Sequence, residues 1–310
     1  MPSWVTVWGY GADISASKDA LFVREKGKAV PVRYPFSSIS HLLIAGDNIL
    51  HTAAIRQCAE HHIPISFFDI RGRPAAAVQP GYAAHTAVQD TVSGHAYAKA
   101  MIEASIESRM RYLHELSEKH PSLYLKGEFE IIAGARSELE YLITLPELAR
   151  VFTLTKMMYY EILSRVIPSA LGYRRRTEDE VPDPVNALFS TGYAALYATV
   201  QVACIGAGLD LAKSSIFGQI IPCSGSPCVR EIMDPAMVPM VDRCVVATAQ
   251  DPRMAQAVKE GSRWILPPDL MAEFSRRLAQ TVDADSIAAN VDRYAAAVRD
   301  GRPPQYHYPA

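Results

Sequence analysis

Glu231 and Asp234 lie three residues apart in a stretch that reads as helix. That spacing places both carboxylates on one face, where they can converge on one cation. Mg²⁺ is often held by one or two carboxylates, with waters and substrate phosphates completing its shell. A pair of this kind therefore suits phosphodiester chemistry. The plainer alternative is a solvated acidic pair, partly balanced by Arg230 or Arg243. Arg174, Arg175 and Arg176 are a second candidate, because guanidinium groups match phosphate oxygens. Glu178, Asp179 and Glu180 follow at once and offset that field. Cys223 and Cys228, with Cys244 beyond, suggest zinc, but zinc takes about four nitrogen or sulfur ligands. No histidine lies between His120 and His307, so that set stays incomplete. The chain carries no phosphate loop, dinucleotide fingerprint, nucleophile elbow or HExxH motif.

The elements that must position these groups fall into two kinds. Up to about residue 74 the pattern is strand-like: Trp4 to Trp8, Leu21 to Val23, Val30 to Val32, Ile39 to Ile44 and Ile63 to Phe68. Glu25-Lys26-Gly27-Lys28 marks a hairpin turn, and Thr52 is placed to cap a short helix ending near Glu60. Residues 75–93 lack periodicity and read as a linker. From residue 94 the period becomes helical. Met101, Ile102, Ile106, Met110 and Leu113 form an apolar stripe, with Lys99, Arg109, Arg111 and His114 read as helix surface. Further helices are expected over 129–145, from Pro146 to about Ile167, and from an Asp183 cap to before Gly208. One more, from Val229 to Val246, should kink at Pro235 and Pro239. Amphipathic stretches cover 268–278 and 285–298, and the proline-rich tail from Arg299 is expected to fray. The fold class is thus α+β and multidomain: a β-rich domain (1–74), a linker (75–93) and an all-α C-terminal domain (94–310).

Composition agrees with a globular protein: 310 residues, 49% apolar, 21% charged and a net charge of −2. The near-neutral charge confines any nucleic-acid surface to a local patch. The five cysteines at irregular spacing point to a reducing, cytoplasmic setting rather than a disulfide framework. Neither a signal peptide nor a membrane span is read.

Three groups of residues together resemble the CRISPR-associated spacer integrases. The first is Ile39-Ser40-His41-Leu42-Leu43-Ile44-Ala45-Gly46 with Ile63 to Asp69 and Gly72. The second is Asp183 to Leu188 with Gly192-Tyr193-Ala194-Ala195-Leu196-Tyr197 and Gly208-Leu209-Asp210. The third is Glu231-Ile232-Met233-Asp234-Pro235 with Val241-Asp242-Arg243. The resemblance implies a dimerising β domain, a helical catalytic domain, cytoplasmic antiviral defence, and insertion of short DNA duplexes into a repeat array. It also implies a divalent metal held by Glu, His and an acid.

Carried over residue by residue, that ligand set is depleted. The glutamate position, counted back from Tyr159-Tyr160, falls on Phe152, and the glycine that follows is Thr153. The histidine position, counted from Gly208-Leu209-Asp210, falls on Phe217. The acidic pair survives as Glu231 and Asp234, while a nearby arginine position is Met237 and the aromatic before it Ala236. A phenyl ring offers a hard cation no donor. The expectation is therefore a catalytically impaired or inactive homologue without a resident cofactor, at most binding Mg²⁺ or Mn²⁺ weakly through Glu231 and Asp234. It would act as a homodimeric DNA-binding or scaffold protein in CRISPR adaptation, with Arg174, Arg175, Arg176, Asn186 and Tyr193 as DNA contacts. Its partners would be DNA, an active paralogue or the small ferredoxin-like adaptation protein, and no membrane. Two alternatives stay open: an active endonuclease or integrase using the reduced Glu231/Asp234 site, and an interaction module that has lost DNA binding.

Overall fold

The computed structural model describes residues 3–78 and 94–308, apart from 122, 124, 179, 180 and 262. The chain divides into two compact units, residues 1–85 and 86–310. The strands of the first unit are β1 (Ser3–Trp8), β2 (Asp13–Ala16), β3 (Ala20–Arg24), β4 (Val32–Pro35), β5 (Ile39–Ala45) and β6 (Ile49–Leu50). The helix α1 (Thr52–Glu60) then precedes β7 (Ile65–Phe68) and β8 (Pro74–Val78). They form two four-stranded sheets, ordered β1-β5-β7-β8 and β4-β3-β2-β6. β1, β5 and β7 run parallel, and β8 closes that sheet antiparallel. Val5, Val7, Ile14, Leu21, Leu42, Ile44 and Ile65 bring both sheets, with Ala54 and Cys58 of α1, into one core. His51, not Thr52, occupies the N-cap of α1, and its side chain makes no capping bond. The stretch expected to be linker from 75 onward starts as strand β8, paired along β7. Residues 79–93 lie outside the described residues.

The second unit is built from α2 (Gly94–Lys119), α3 (Lys126–Glu138), α4 (Leu145–Leu163) and α5 (Pro184–Gly206), then α6 (Pro227–Met233) and α7 (Arg243–Ala249). A short antiparallel hairpin, β9 (Val258–Glu260) and β10 (Arg263–Ile265), precedes α8 (Pro268–Thr281) and α9 (Ala284–Arg299). The hairpin is the one departure from all-α among the described residues of this unit. Thr144 and Glu147 close a capping box on α4, and the Asp183 carboxylate caps α5 through the Asn186 amide. α5 is long and apolar enough to cross a membrane on length and composition, but most of it is buried inside this unit as a core helix.

The stretch between α6 and α7 bends as its prolines demand. Asp234–Ala236 is a 3₁₀ turn and Val238–Asp242 a π-helical segment. Pro235 and Pro239 lack the N–H that a regular α-helical ladder needs. Gly192 of α5 permits this segment to approach: a Cβ there would lie 2.5 Å from Val241 Cγ1. The tail does not fray over 300–308. The Asn290 side chain donates to the His307 carbonyl (2.7 Å) and accepts from its amide (2.8 Å), while the Tyr308 hydroxyl donates to the Ile232 carbonyl (2.9 Å).

Candidate functional site

Four elements converge where the sequence places the depleted ligand set. α4 brings Phe152, the loop after α5 brings Phe217, the 3₁₀ turn brings Asp234, and α2 brings Arg109. Phe152 and Phe217 meet edge to face, ring centroids 5.9 Å apart at 90°. This is a favourable geometry for aromatic quadrupoles. Both rings are buried. Two cations also approach Phe152: the Arg109 guanidinium carbon is 5.4 Å from its ring centroid and Lys156 Nζ is 5.9 Å.

Arg109, read from sequence as helix surface, is 2% exposed and donates to Asp234 Oδ1 at 2.5 Å. Burial disfavours its charge, but Asp234 outweighs that and raises its pKa. The residue continues the apolar stripe of α2: Ile102, Ile106, Arg109, Leu113 and Leu116 follow one another at four- and three-residue spacing and are all buried. That register is the signal in the sequence that marks it.

Glu231 and Asp234 are not a solvated pair. They are 0% and 4% exposed, and each is held by different partners. Glu231 accepts from the Ser214 hydroxyl, from the Ser215 amide at 2.6 Å and from the Tyr294 hydroxyl at 3.3 Å. Ser214 Oγ in turn accepts from the amides of Ile216 (3.3 Å) and Phe217 (3.1 Å). Glu231 thus anchors the loop that presents Phe217. Burial raises its pKa, against the bonds from Ser214 and Ser215. Arg230, expected to balance the acids, bonds Ser224, and Arg243 bonds Glu115.

Asp242, which stands in the sequence only among the residues that carry the resemblance and with no role assigned, is also buried. It accepts from the hydroxyls of Tyr159 (2.8 Å) and Tyr193 (2.5 Å), and Tyr193 also shares a 2.6 Å bond with Tyr160. Burial pushes its pKa up to about 7, against the two tyrosine bonds and the field of Arg109. Of the expected DNA contacts, Tyr193 and Asn186 are therefore buried and bonded within the protein. Asn186 accepts from Arg176 Nη1 (3.0 Å) and the Thr177 amide, and donates to the Arg175 carbonyl and to Asp183. Arg176 also lies over Tyr193, 5.5 Å from its centroid. Arg174 and Arg175 extend exposed from the loop so held.

These donors do not fit a divalent cation. The two rings supply none, the bonded Asp234 oxygen is engaged by Arg109, and Glu231 spends its oxygens on Ser214, Ser215 and Tyr294. Among the described residues no group of three or more His, Cys, Asp or Glu side chains is placed to hold a metal. None of the five cysteines is in a disulfide, and all are buried except the half-buried Cys223.

Compared with known proteins, residues 5–275 match the family model described as CRISPR associated protein Cas1. The chain belongs to the Cas1 family. Members of this integrase and endonuclease family take part in CRISPR adaptation. A protein of Methanospirillum hungatei assigned as a CRISPR-associated endonuclease Cas1 is 28% identical over 291 residues, covering 92% of this chain and 94% of its own. A CRISPR-associated endonuclease Cas1 of Thermus thermophilus is 28% identical over 241 residues, covering 76% and 72%. Among solved structures, a casposase bound to integration product superposes with a TM-score of 0.79 at 17% identity, covering 98% of this chain and 92% of that one. A Cas1 protein from Thermotoga maritima gives 0.76 at 13% identity, covering both chains fully. At such identities these structures speak for the fold alone, and they fit the α+β architecture of this chain.

Proposed function

We propose that this Cas1 homologue is catalytically inactive and serves CRISPR adaptation as a DNA-binding or scaffold subunit, dimeric through its β-rich unit. The observation that carries the reading is the packing of Phe152 on Phe217 beside an Asp234 already neutralised by Arg109. An enzyme that activates a phosphodiester with a metal needs open oxygen ligands facing substrate, and this centre has become side-chain core. DNA contact falls to Arg174 and Arg175, exposed on a loop that Asn186 and Arg176 brace. The casposase bound to integration product has this fold, as does the 36% of a chain of a Cas6-RT-Cas1–Cas2 complex that this protein matches. They support DNA and a small Cas2-type protein, or an active paralogue, as the partners here. The reduced Glu231/Asp234 enzyme is less well supported, because the two carboxylates serve different partners.

A pure protein-interaction role draws support from a shallow apolar groove of about 440 Å³ between α4 and the loop that follows α5, lined by Leu154, Met157, Ile220 and Pro222. Leu154 and Met157 are 45% and 56% exposed. Two assays separate the readings. Branched and duplex DNA incubated with the protein and Mn²⁺ should be neither nicked nor joined. Cleavage that Asp234→Ala abolishes would establish an active enzyme instead. In gel shifts at physiological salt the scaffold reading expects a complex, and binding confined to low salt would leave protein interaction as the function.

A further inference from the structure

We propose that Arg109 is a built-in cation that takes the place of a metal ion at the centre of the helical unit, so that this unit neither needs nor admits one. The proposal rests on the inactive reading for which positions count as the old ligand set. The physical case is independent of it. Asp234 is delivered into the core by the proline-broken segment, and a buried carboxylate without a counter-charge is strongly disfavoured. A hard divalent ion would need about six oxygen donors, whereas the group bonded to this carboxylate is flanked by the rings of Phe152 and Tyr159, with Phe217 packed on Phe152. A guanidinium needs far less. One carboxylate bonds Nη2, and aromatic faces can accept the rest of the cation.

That is the arrangement seen. Arg109 bonds Asp234 at 2.5 Å and sits 5.4 Å and 5.9 Å from the centroids of Phe152 and Tyr159. Its Nε and Nη1 are buried without a hydrogen-bond partner. No oxygen accepts from these two nitrogens, and besides Asp234 the guanidinium carbon has the two rings as neighbours. A guanidinium surrounded by oxygen ligands would leave no such orphans. The rings and Arg109 therefore fit each other, and neither fits a metal. It follows that restoring ligands to the two phenylalanine positions will not recreate a metal site while Arg109 remains.

The test is thermal unfolding of the full chain, with and without Mn²⁺ and with EDTA. The wild type should melt at one temperature in all three. Arg109→Met and Asp234→Leu should each lower Tm by about 10 °C, the scale set by unpairing a buried charge in a unit of this size. The double variant should regain more than half of that loss. Losses that simply add overturn the proposal. Should Arg109→Met fail to accumulate, normal yield of the double variant supports the pairing, and failure of both overturns it. In a second series, Phe152→Glu/Phe217→His should show no Mn²⁺-dependent rise in Tm, and adding Arg109→Ser should confer one. A rise of equal size with Arg109 in place overturns the proposal, as does a folded triple variant that Mn²⁺ leaves unmoved. Mn²⁺-dependent strand transfer by the wild type would sink the inactive reading yet leave the pairing cycle intact. An additive cycle would sink Arg109's role alone.

Discussion

Asp242 is a fully buried carboxyl whose surroundings disfavour its charge. Its two oxygens accept from Tyr159 and Tyr193, yet burial dominates and moves its pKa from 3.8 to about 7. Between those values the folded chain binds a proton that the unfolded chain does not. Stability at this site is therefore greatest at low pH and is lost as pH rises from about 4 to about 7, the reverse of an ion-paired carboxylate. Asp242→Asn should remove that dependence, because the Tyr160–Tyr193 bond can reverse and let Tyr193 accept from the new amide. Urea titrations from pH 4 to 8 should show the wild type losing a few kcal/mol relative to the variant, roughly 1.4 for each pH step of one across that window. Parallel profiles would mean Asp242 stays ionised throughout. At this scale the sequence is partly readable. That Phe152 and Phe217 offer a cation no ligand follows from residue type alone, whereas Arg109 and Asp242 look like surface charges until their positions on buried faces are known. A register count on α2 exposes Arg109; Asp242 is marked only by its place in the family-like run Val241-Asp242-Arg243, and its burial is not, because its partners come from α4 and α5.

At the scale of elements, the break between α6 and α7 decides where the acids point. Pro235 and Pro239 announce a break, but whether it becomes a 3₁₀ turn and a π segment depends on what packs there. Gly192 is the packing condition, since a methyl group at that position would meet Val241 Cγ1 at 2.5 Å. Gly192→Ala should cost about 1–3 kcal/mol despite the better helix propensity of alanine. Val241→Ala should restore part of it; a variant as stable as wild type in denaturant would show that the contact yields freely. Glu231 governs a second element, the loop from Ser214 to Phe217. Glu231→Ala leaves the Ser214 hydroxyl and Ser215 amide without their acceptor. We expect about 3 kcal/mol of destabilisation and faster amide exchange at Ser215 and Phe217. Unchanged exchange there would show the loop to be held by Phe217 packing instead. The strands and long helices are legible from period alone, because one buried face imposes it. Strand β2, the β9–β10 hairpin and the docked tail are not, since each is short and is fixed by its partners, as Asn290 fixes His307.

For the molecule as a whole, the order of a β-rich unit followed by a helical unit is readable because apolar period changes from two to about 3.6 along the chain. The net charge of −2 sets the remaining question, since DNA binding must then come from a local cluster. In the proposed DNA-binding role, the loop before α5 supplies that cluster. Asn186 accepts from Arg176 and from the Thr177 amide and donates to the Arg175 carbonyl, which fixes the loop backbone and leaves the Arg174 and Arg175 side chains in solvent. Lys156, 3.3 Å from Glu178, offsets one of the acids that follow. A phosphate contact made by each exposed arginine contributes about 0.9 to the slope of log affinity against log salt on duplex DNA. Arg174→Ser/Arg175→Ser should therefore weaken binding evenly across sequences and reduce that slope by about 2. Its thermal stability should stay at the wild-type value, because neither side chain is buried. If the slope and affinity hold while both arginines are gone, DNA is gripped elsewhere or is not the partner. The apolar groove beside α4 then becomes the surface on which the function of this Cas1 homologue turns.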